Sequence, residues 1–205
     1  MAEVKLDAVR AGETKAWRLI LIALLTLGAC GGSGATVALP SASGGLVATR
    51  DPTPLLPPTL GTFAFIADLR STSEVPPSND AESTCTGQSR LVLKAKLDPS
   101  GKIISTTAQF SFFVRSCPDS AQITVAHIHQ APVGQNGAVV IDSGLSASRP
   151  TALRGGEIGL NVEDVTVADL ATVTDLIANP GGYYLNVHTV LHPEGLVRGQ
   201  LMYER

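Results

Sequence analysis

Three of the four histidines in this chain lie inside apolar, strand-like runs, where an imidazole must find a polar partner or bind a ligand. His127 and His129 form a His-x-His pair, and His188 follows about sixty residues later. Alternate residues of a β-strand point to the same face, so the two paired histidines should lie side by side. The same alternation puts Ile123 and Val125 on that face. Adjacent imidazoles suit Zn or Cu, and His188 can add a third ligand, so one interpretation is a metal site of His127, His129 and His188.

The other interpretation is a structural polar cluster that needs no metal. Its members are expected on one face of a sheet: His127, His129, Asn186, His188, Arg198 and Gln200. Pairing the last two strands around a turn at 192–195 places His188 near Arg198. The same pairing places Asn186 near Gln200. Buried ring nitrogens need hydrogen-bond partners, which these side chains and backbone carbonyls can supply. Because Arg198 beside His188 would also repel a cation, we take the polar cluster as the first interpretation and the metal site as its alternative.

Strand-like runs account for most of the chain beyond residue 60. They cover 62–67, 89–97, 102–115, 122–130, 138–142, 156–162, 183–191 and 196–203. One helical pattern, Val167–Ala178, interrupts them, with Thr166 as its N-cap and Pro180 just beyond its end. A sheet this large needs its apolar face covered. We therefore expect an all-β fold, an antiparallel β-sandwich of about eight strands with one short helix before the last hairpin.

The bulk composition argues against several classes of function. A net charge of -3 with no basic run is unsuited to binding nucleic acid. Charged residues make up only 16% of the chain, which fits an extracytoplasmic all-β domain with many tight turns. The sequence contains no Gly-x-Ser-x-Gly nucleophile motif and no phosphate-binding glycine loop between a strand and a helix. We therefore expect no catalytic activity and no cofactor; a metal-dependent enzyme using Zn or Cu is the alternative.

The N-terminal part of the chain is predicted to be a targeting signal followed by a flexible tether. A cationic flank precedes a short apolar run, 19–29, that is too short to span a bilayer as a helix, as in a secretory signal peptide. The run ends in Leu27-Gly28-Ala29-Cys30, which resembles the lipobox of bacterial lipoproteins. That resemblance implies a signal peptide over 1–29 and lipid on Cys30, which would anchor the protein in the lipid bilayer of the bacterial cell envelope. A Gly-, Ser- and Pro-rich tether follows at 30–58, and 59–205 is the folded domain.

The cysteine count agrees with this arrangement. Three cysteines in an exported protein leave one without a partner. If Cys30 carries lipid, Cys85 and Cys117 remain to form a disulfide in an oxidising compartment. The two strand-like runs between them are joined by Asp98-Pro99-Ser100-Gly101, a good turn sequence that would bring the two thiols together.

Three motifs in the folded part resemble those of a known family. The first is Glu74-Val75-Pro76-Pro77, the second is 126–129 leading into 134–140, and the third is 182–189 followed by 193–201. In this order they resemble the CHRD domain, which is named from chordin and found in many bacterial exported proteins. The resemblance extends from about Leu60 to the C-terminus. In chordin these domains belong to an extracellular protein that binds growth factors, a role that fold alone does not transfer. The resemblance implies an extracytoplasmic binding or structural module whose partner is an unknown protein or glycan.

Overall fold

A computed structural model describes residues 59–205; the predicted signal peptide (1–29), the lipidation site Cys30 and the tether (30–58) lie outside the described residues. Within the described part there is one α-helix, α1 (Leu170–Ala178), and there are ten strands. The strands are β1 (Thr59–Arg70), β2 (Thr86–Leu97), β3 (Ile103–Arg115), β4 (Gln122–Gln130), β5 (Ala138–Asp142), β6 (Thr151–Ala152), β7 (Ile158–Val167), β8 (Tyr183–Thr189), β9 (Val197–Gln200) and β10 (Met202–Tyr203).

All these strands belong to one antiparallel sheet. The main path runs β5-β4-β8-β9-β1-β2-β3-β7, while β10 also pairs with β1 and β6 with β4. Strands from both ends of this path contribute to one hydrophobic core, so the sheet folds over itself and its two halves cover each other's apolar faces. The prediction of an all-β antiparallel fold with one helix before the last hairpin is confirmed. The two strands absent from the prediction, β6 and β10, are each two residues long, too short to show alternation.

The core is built from large side chains that alternate with outward-facing residues along the strands. Phe65, Leu91, Phe110, Ile128 and Leu185 are all fully buried. Burying a side chain of this size stabilises the fold by about 1.5–3 kcal/mol. The same core therefore fixes the position of β4 and β8, whose other faces carry the histidines.

The hairpin of β2 and β3 is closed at both ends. At its tip Gly101 has a φ of 85°, and its N–H donates to the Asp98 carbonyl at 2.9 Å, as the turn sequence predicts. At its open end Cys85 and Cys117 form a disulfide with their Cα atoms 4.6 Å apart, which confirms the predicted pair. On the chain-entropy model, a disulfide that closes a loop of this length contributes roughly 3–4 kcal/mol.

Helix α1 begins later than the sequence pattern predicts. It starts at Leu170, and the Asp169 side chain caps it by accepting two backbone N–H groups of the first turn. Val167 ends β7 instead of starting the helix, and Thr166 pairs with Thr107 of β3 instead of capping it. The backbone partners that β3 offers outweigh the helical spacing of these residues, which is a tertiary effect. Within residues 59–205, no helix has the length and apolar character needed to cross a membrane.

An irregularity in β4 changes which residues share the histidine face. The register between β4 and β8 shifts between Ile123 and Ala126. An extra residue in one strand reverses the alternation of side chains beyond it. Ile123 consequently lies in the core. The prediction that Ile123 shares a face with His127 and His129 is therefore wrong.

The register of the last hairpin also differs from the prediction. Arg198 is the Cα partner of Asn186, and Gln200 is that of Tyr184. The predicted pairs of His188 with Arg198 and of Asn186 with Gln200 are therefore wrong by two residues. The strands stop earlier than predicted, so the connection between them is longer than the predicted turn. A shift by two residues leaves every side chain on its predicted face, because the side-chain period of a strand is two.

Candidate functional site

The polar face of β8 lies opposite the core and beneath loops. All residues of β8 are buried. Its odd-numbered residues up to Val187 belong to the core, so Tyr184, Asn186 and His188 occupy the other face. Side chains on this face and on its neighbours in β4 and β9 hydrogen-bond to three loops, 71–77, 131–137 and 190–196. The face is thus a buried polar surface, not a solvated one.

Three imidazoles meet on this face, and we call His127, His129 and His188 the histidine triad. The ring centroids of His127 and His188 are 4.9 Å apart, and those of His127 and His129 are 5.7 Å apart. One ring nitrogen from each histidine lies within 4.8 Å of the other two. His129 and His188 are buried and His127 is partly exposed. Adjacent strands β4 and β8 thus bring together residues that are far apart in the chain.

The backbone of a loop holds one ring nitrogen of His129 and one of His188. His129 Nδ1 lies 2.9 Å from the Gly137 carbonyl oxygen, and His188 Nδ1 lies 2.8 Å from that of Pro193. A carbonyl oxygen can only accept a hydrogen bond, so in both rings Nδ1 carries the proton. In a neutral ring the Nε2 atom is then left with a lone pair.

Each ring of the triad also has a buried nitrogen without a hydrogen-bond partner in the described part of the chain. His127 Nε2 lies 3.8 Å from Asp142 Oδ1, which favours the proton on Nε2 and the lone pair on Nδ1. Among residues 59–205, neither His127 Nδ1 nor the Nε2 atoms of His129 and His188 have a hydrogen-bond partner. The triad therefore presents three lone pairs on one buried face.

Burial keeps the three rings neutral. It lowers the pKa of His127, although the Asp142 carboxylate acts in the opposite direction. It also lowers the pKa of His129, although the hydrogen bond to the Gly137 carbonyl acts in the opposite direction. The pKa of His188 falls from 6.5 to about 4, again mainly through burial. Deprotonated imidazole is the form that binds metal ions, so the triad is ready to bind one at neutral pH.

Arg198 of β9 joins two of the covering loops to this face. Its side chain is 4% exposed, its Nε donates to the Ser73 carbonyl, and its Nη1 donates to the Gln135 carbonyl at 3.2 Å. The same Nη1 donates to Asn136 Oδ1 at 2.9 Å, and the guanidinium carbon lies 4.8 Å from the centre of the Tyr184 ring. Arg198 thus fixes the loops 71–77 and 131–137 over the site.

Glu74 offsets the charge of Arg198. Its Oε2 atom lies 3.7 Å from Arg198 Nε, and its side chain is 6% exposed. Burial raises the pKa of Glu74 from 4.5 to about 7, against the opposing effects of Arg198 and Asn186. Arg198 faces Asn186 instead of His188 and has a carboxylate beside it, so its repulsion of a cation at the triad is weaker than the sequence suggests.

The raised pKa of Glu74 predicts an unusual dependence of stability on pH. The folded protein holds this proton up to about pH 7 and the unfolded chain only to about 4.5, so ionisation of Glu74 costs stability as the pH rises through that window. The triad acts in the opposite sense, because its lowered pKa values cost stability as the pH falls below 6.5. The contribution of Glu74 is therefore isolated by the difference in unfolding free energy between the Glu74→Gln variant and the natural protein.

We expect Glu74→Gln to gain roughly 2–3 kcal/mol in unfolding free energy relative to the natural protein between about pH 5 and pH 8. Urea unfolding at several pH values measures this difference. Glu204→Gln is the control. The hydrogen bond to the exposed Arg90 lowers the pKa of Glu204, so this carboxyl does not titrate in the window. A difference that stays constant across the range would contradict the prediction.

The remaining predicted residues lie on the same face with other partners. Gln200 Nε2 donates to the carbonyls of Ala131 and Gly181, both at 2.7 Å, and so ties two loops to β9. Within residues 59–205, no histidine of the triad hydrogen-bonds to Asn186, Arg198 or Gln200. The predicted polar cluster thus divides into Arg198 and Gln200, which hold loops, and a triad whose ring nitrogens converge.

We compared the sequence of the chain with models of known protein families. The family model described as the CHRD domain matches residues 65–201, a range that contains the whole triad together with Glu74 and Arg198. This chain belongs to the CHRD domain family. A search of curated proteins and a search of solved structures each found no match. The CHRD domain is not a known enzyme family, and membership suggests a non-catalytic binding or structural module.

Sequence reasoning assigned no role to three residues around the site of this CHRD domain. Glu74 was visible only as the charged residue of the Glu74-Val75-Pro76-Pro77 motif. Tyr184 lies within the predicted strand 183–191, and its ring stacks on His129 with centroids 4.9 Å apart. Asp142 carried no signal at all, because its proximity to His127 depends on the pairing of β4 with β5.

Proposed function

We propose that this CHRD domain is a non-catalytic metal-binding module for Zn or Cu, anchored at the bacterial cell envelope. Two observations support it: one ring nitrogen from each of the three histidines lies within 4.8 Å of the other two, and each ring has a buried nitrogen without a hydrogen-bond partner among residues 59–205. His127, His129 and His188 are the ligands in this proposal. No catalytic step is included.

The triad differs in energy from a purely structural polar cluster. A structural cluster is stabilising when its polar atoms are satisfied, whereas an unpaired buried polar atom costs about 1–3 kcal/mol. Within residues 59–205 the triad leaves three such nitrogens at one place. The Nε2 atoms of His129 and His188 are both acceptors, so they cannot satisfy each other. One metal ion would satisfy all three together.

The donor set narrows the choice of ion. Imidazole nitrogen suits Zn and Cu, whereas Ca²⁺ and Mg²⁺ prefer oxygen ligands. A thiolate is not on offer from Cys85 or Cys117, since both are in the disulfide. The hydrogen bonds from His129 to Gly137 and from His188 to Pro193 orient the rings in the way that outer partners orient metal-binding histidines.

The location in the cell envelope is supported by the N-terminal sequence. The lipobox-like ending at Cys30 and the Gly-, Ser- and Pro-rich segment 30–58 favour a lipid anchor followed by a tether. The Cys85–Cys117 disulfide agrees with an oxidising compartment. Mass spectrometry of the mature N-terminus tests this part, because an unmodified Cys30 or an intact N-terminal segment would exclude the anchor.

Metal titration of the full-length chain tests the proposal. After chelator treatment, we expect one Zn(II) or Cu(II) per chain by calorimetry. We also expect thermal stabilisation of about 2.7 kcal/mol when free metal is one hundred times the Kd. Ca(II) and Mg(II) at the same concentration are the controls and should have no effect. Failure of both Zn(II) and Cu(II) to bind stoichiometrically would overturn the metal proposal and leave the structural cluster.

A further inference from the structure

We infer that a metal ion held by the triad keeps one water molecule as its fourth ligand, and that Asn186 holds this water through a hydrogen bond. The inference rests on the proposed function and adds to it the small ligand of the same site. It follows from the number of protein donors, from the position of Asn186 and from the direction of the ring N–H groups.

The first step is the number of donors. The metal-binding group found within residues 59–205 contains three histidines and no fourth residue. Asp142 Oδ1 instead accepts the Gly144 N–H at 2.8 Å and lies beside the proton-bearing Nε2 of His127. Zinc sites prefer four ligands, and three protein ligands leave one position for water.

The second step is the position of Asn186. It is the Cα partner of His127 in β4 and precedes His188 by two residues, so all three side chains share one face. Asn186 is 2% exposed. Its Oδ1 atom is buried and has no hydrogen-bond partner in the part of the chain that the structure describes. An unsatisfied acceptor thus lies beside the triad.

Gly195 packs against the Asn186 amide and restricts its position. A Cβ atom on Gly195 would lie 2.3 Å from Asn186 Nδ2 and 2.8 Å from Asn186 Oδ1, so the amide group packs closely against Gly195. Gly195 has a φ of 130°, which disfavours any other residue there. The loop therefore holds the amide in place, and its Oδ1 remains a buried acceptor without a partner among the described residues.

The third step is that these atoms are hydrogen-bond acceptors on one buried face. The N–H groups of His129 and His188 are used by the Gly137 and Pro193 carbonyls, so these two rings offer only lone pairs to the face they share. Asn186 Oδ1 adds a fourth acceptor on the same buried face. Four acceptors need a cation and a hydrogen-bond donor. A metal-bound water supplies both, because its oxygen binds the metal and its O–H donates to Oδ1.

The experiment uses the full-length chain loaded with Cu(II), with water-proton relaxation as the readout of an exchanging metal-bound water. We expect the natural protein to enhance relaxation and azide to abolish the enhancement as it displaces the water. Asn186→Leu, which removes the acceptor at similar size, should lower the enhancement at least about twofold while its electron paramagnetic resonance spectrum still reports nitrogen ligands. Ser89→Ala is the control, because Ser89 Oγ is a buried atom on β2 without a partner among the described residues.

Asn186→Asp provides a second arm that keeps the shape of the side chain, in case the leucine variant does not fold. Its negative charge should hold the water more firmly and weaken azide binding about tenfold. Cu(II) bound without relaxation enhancement in the natural protein would overturn the inference and leave the metal proposal intact. Unchanged relaxation in Asn186→Leu or unchanged azide affinity in Asn186→Asp would remove Asn186 from its role. An absence of Cu(II) binding would instead overturn the proposed function itself.

Discussion

Replacement of His188 by alanine is expected to weaken Zn or Cu binding at least about 100-fold. Removing a residue that only orients a ligand typically costs 10- to 100-fold in metal affinity, and loss of a ligand should cost at least as much. His188 is the most deeply buried member of the triad and joins β8 to the histidines of β4. Competition against a chromophoric chelator measures the affinity.

His192→Ala is the matched control. His192 lies in the same hairpin, but its Nε2 atom contacts Asp80 at 3.0 Å and is not part of the triad. We expect its affinity for metal to remain within about twofold of that of the natural protein, because the His192 ring contributes no ligand and its removal leaves the Pro193 carbonyl on His188 Nδ1. Equal losses in the two variants would indicate a general effect on folding and would contradict a ligand role for His188.

Replacement of Arg198 by methionine is expected to lower the free energy of unfolding by about 3–5 kcal/mol at pH 7. The substitution keeps much of the side-chain length and removes the hydrogen bonds to Ser73, Gln135 and Asn136. It also leaves Glu74 without its counter-charge. Both loops that Arg198 holds over the triad should loosen. Urea unfolding measures the loss, and hydrogen exchange in 71–77 and 131–137 locates it.

Arg90→Met is the control for removal of an arginine and its ion pair. Arg90 pairs with Glu204 at 2.7 Å, but the two side chains are 46% and 36% exposed. Solvent screens such a pair, so the expected loss is below about 1 kcal/mol. Equal losses for the Arg90 and Arg198 variants would show that the buried contacts of Arg198 add no stability beyond that of an exposed ion pair.

The sequence by itself determined the features that depend on local patterns. The strand runs predicted the all-β antiparallel fold, since apolar alternation requires that one face of each strand be buried. The turn at Asp98–Gly101 and the cysteine count predicted the Cys85–Cys117 disulfide, because a two-stranded hairpin brings its flanking residues together. The motifs around His127 and His188 were sufficient for the CHRD family.

Only the tertiary structure decided what the histidine face contains. The irregularity that sends Ile123 into the core leaves no mark in the sequence, and the register that pairs Asn186 with Arg198 depends on the length of a loop. The direction of each ring nitrogen depends on backbone carbonyls such as that of Gly137. Every residue has a backbone carbonyl, so the residue type does not show which one a histidine will contact. The sequence named the three histidines. Their unpartnered nitrogens and the Asn186 oxygen became visible only when distant strands packed together, because hydrogen-bond satisfaction is a property of neighbours in space.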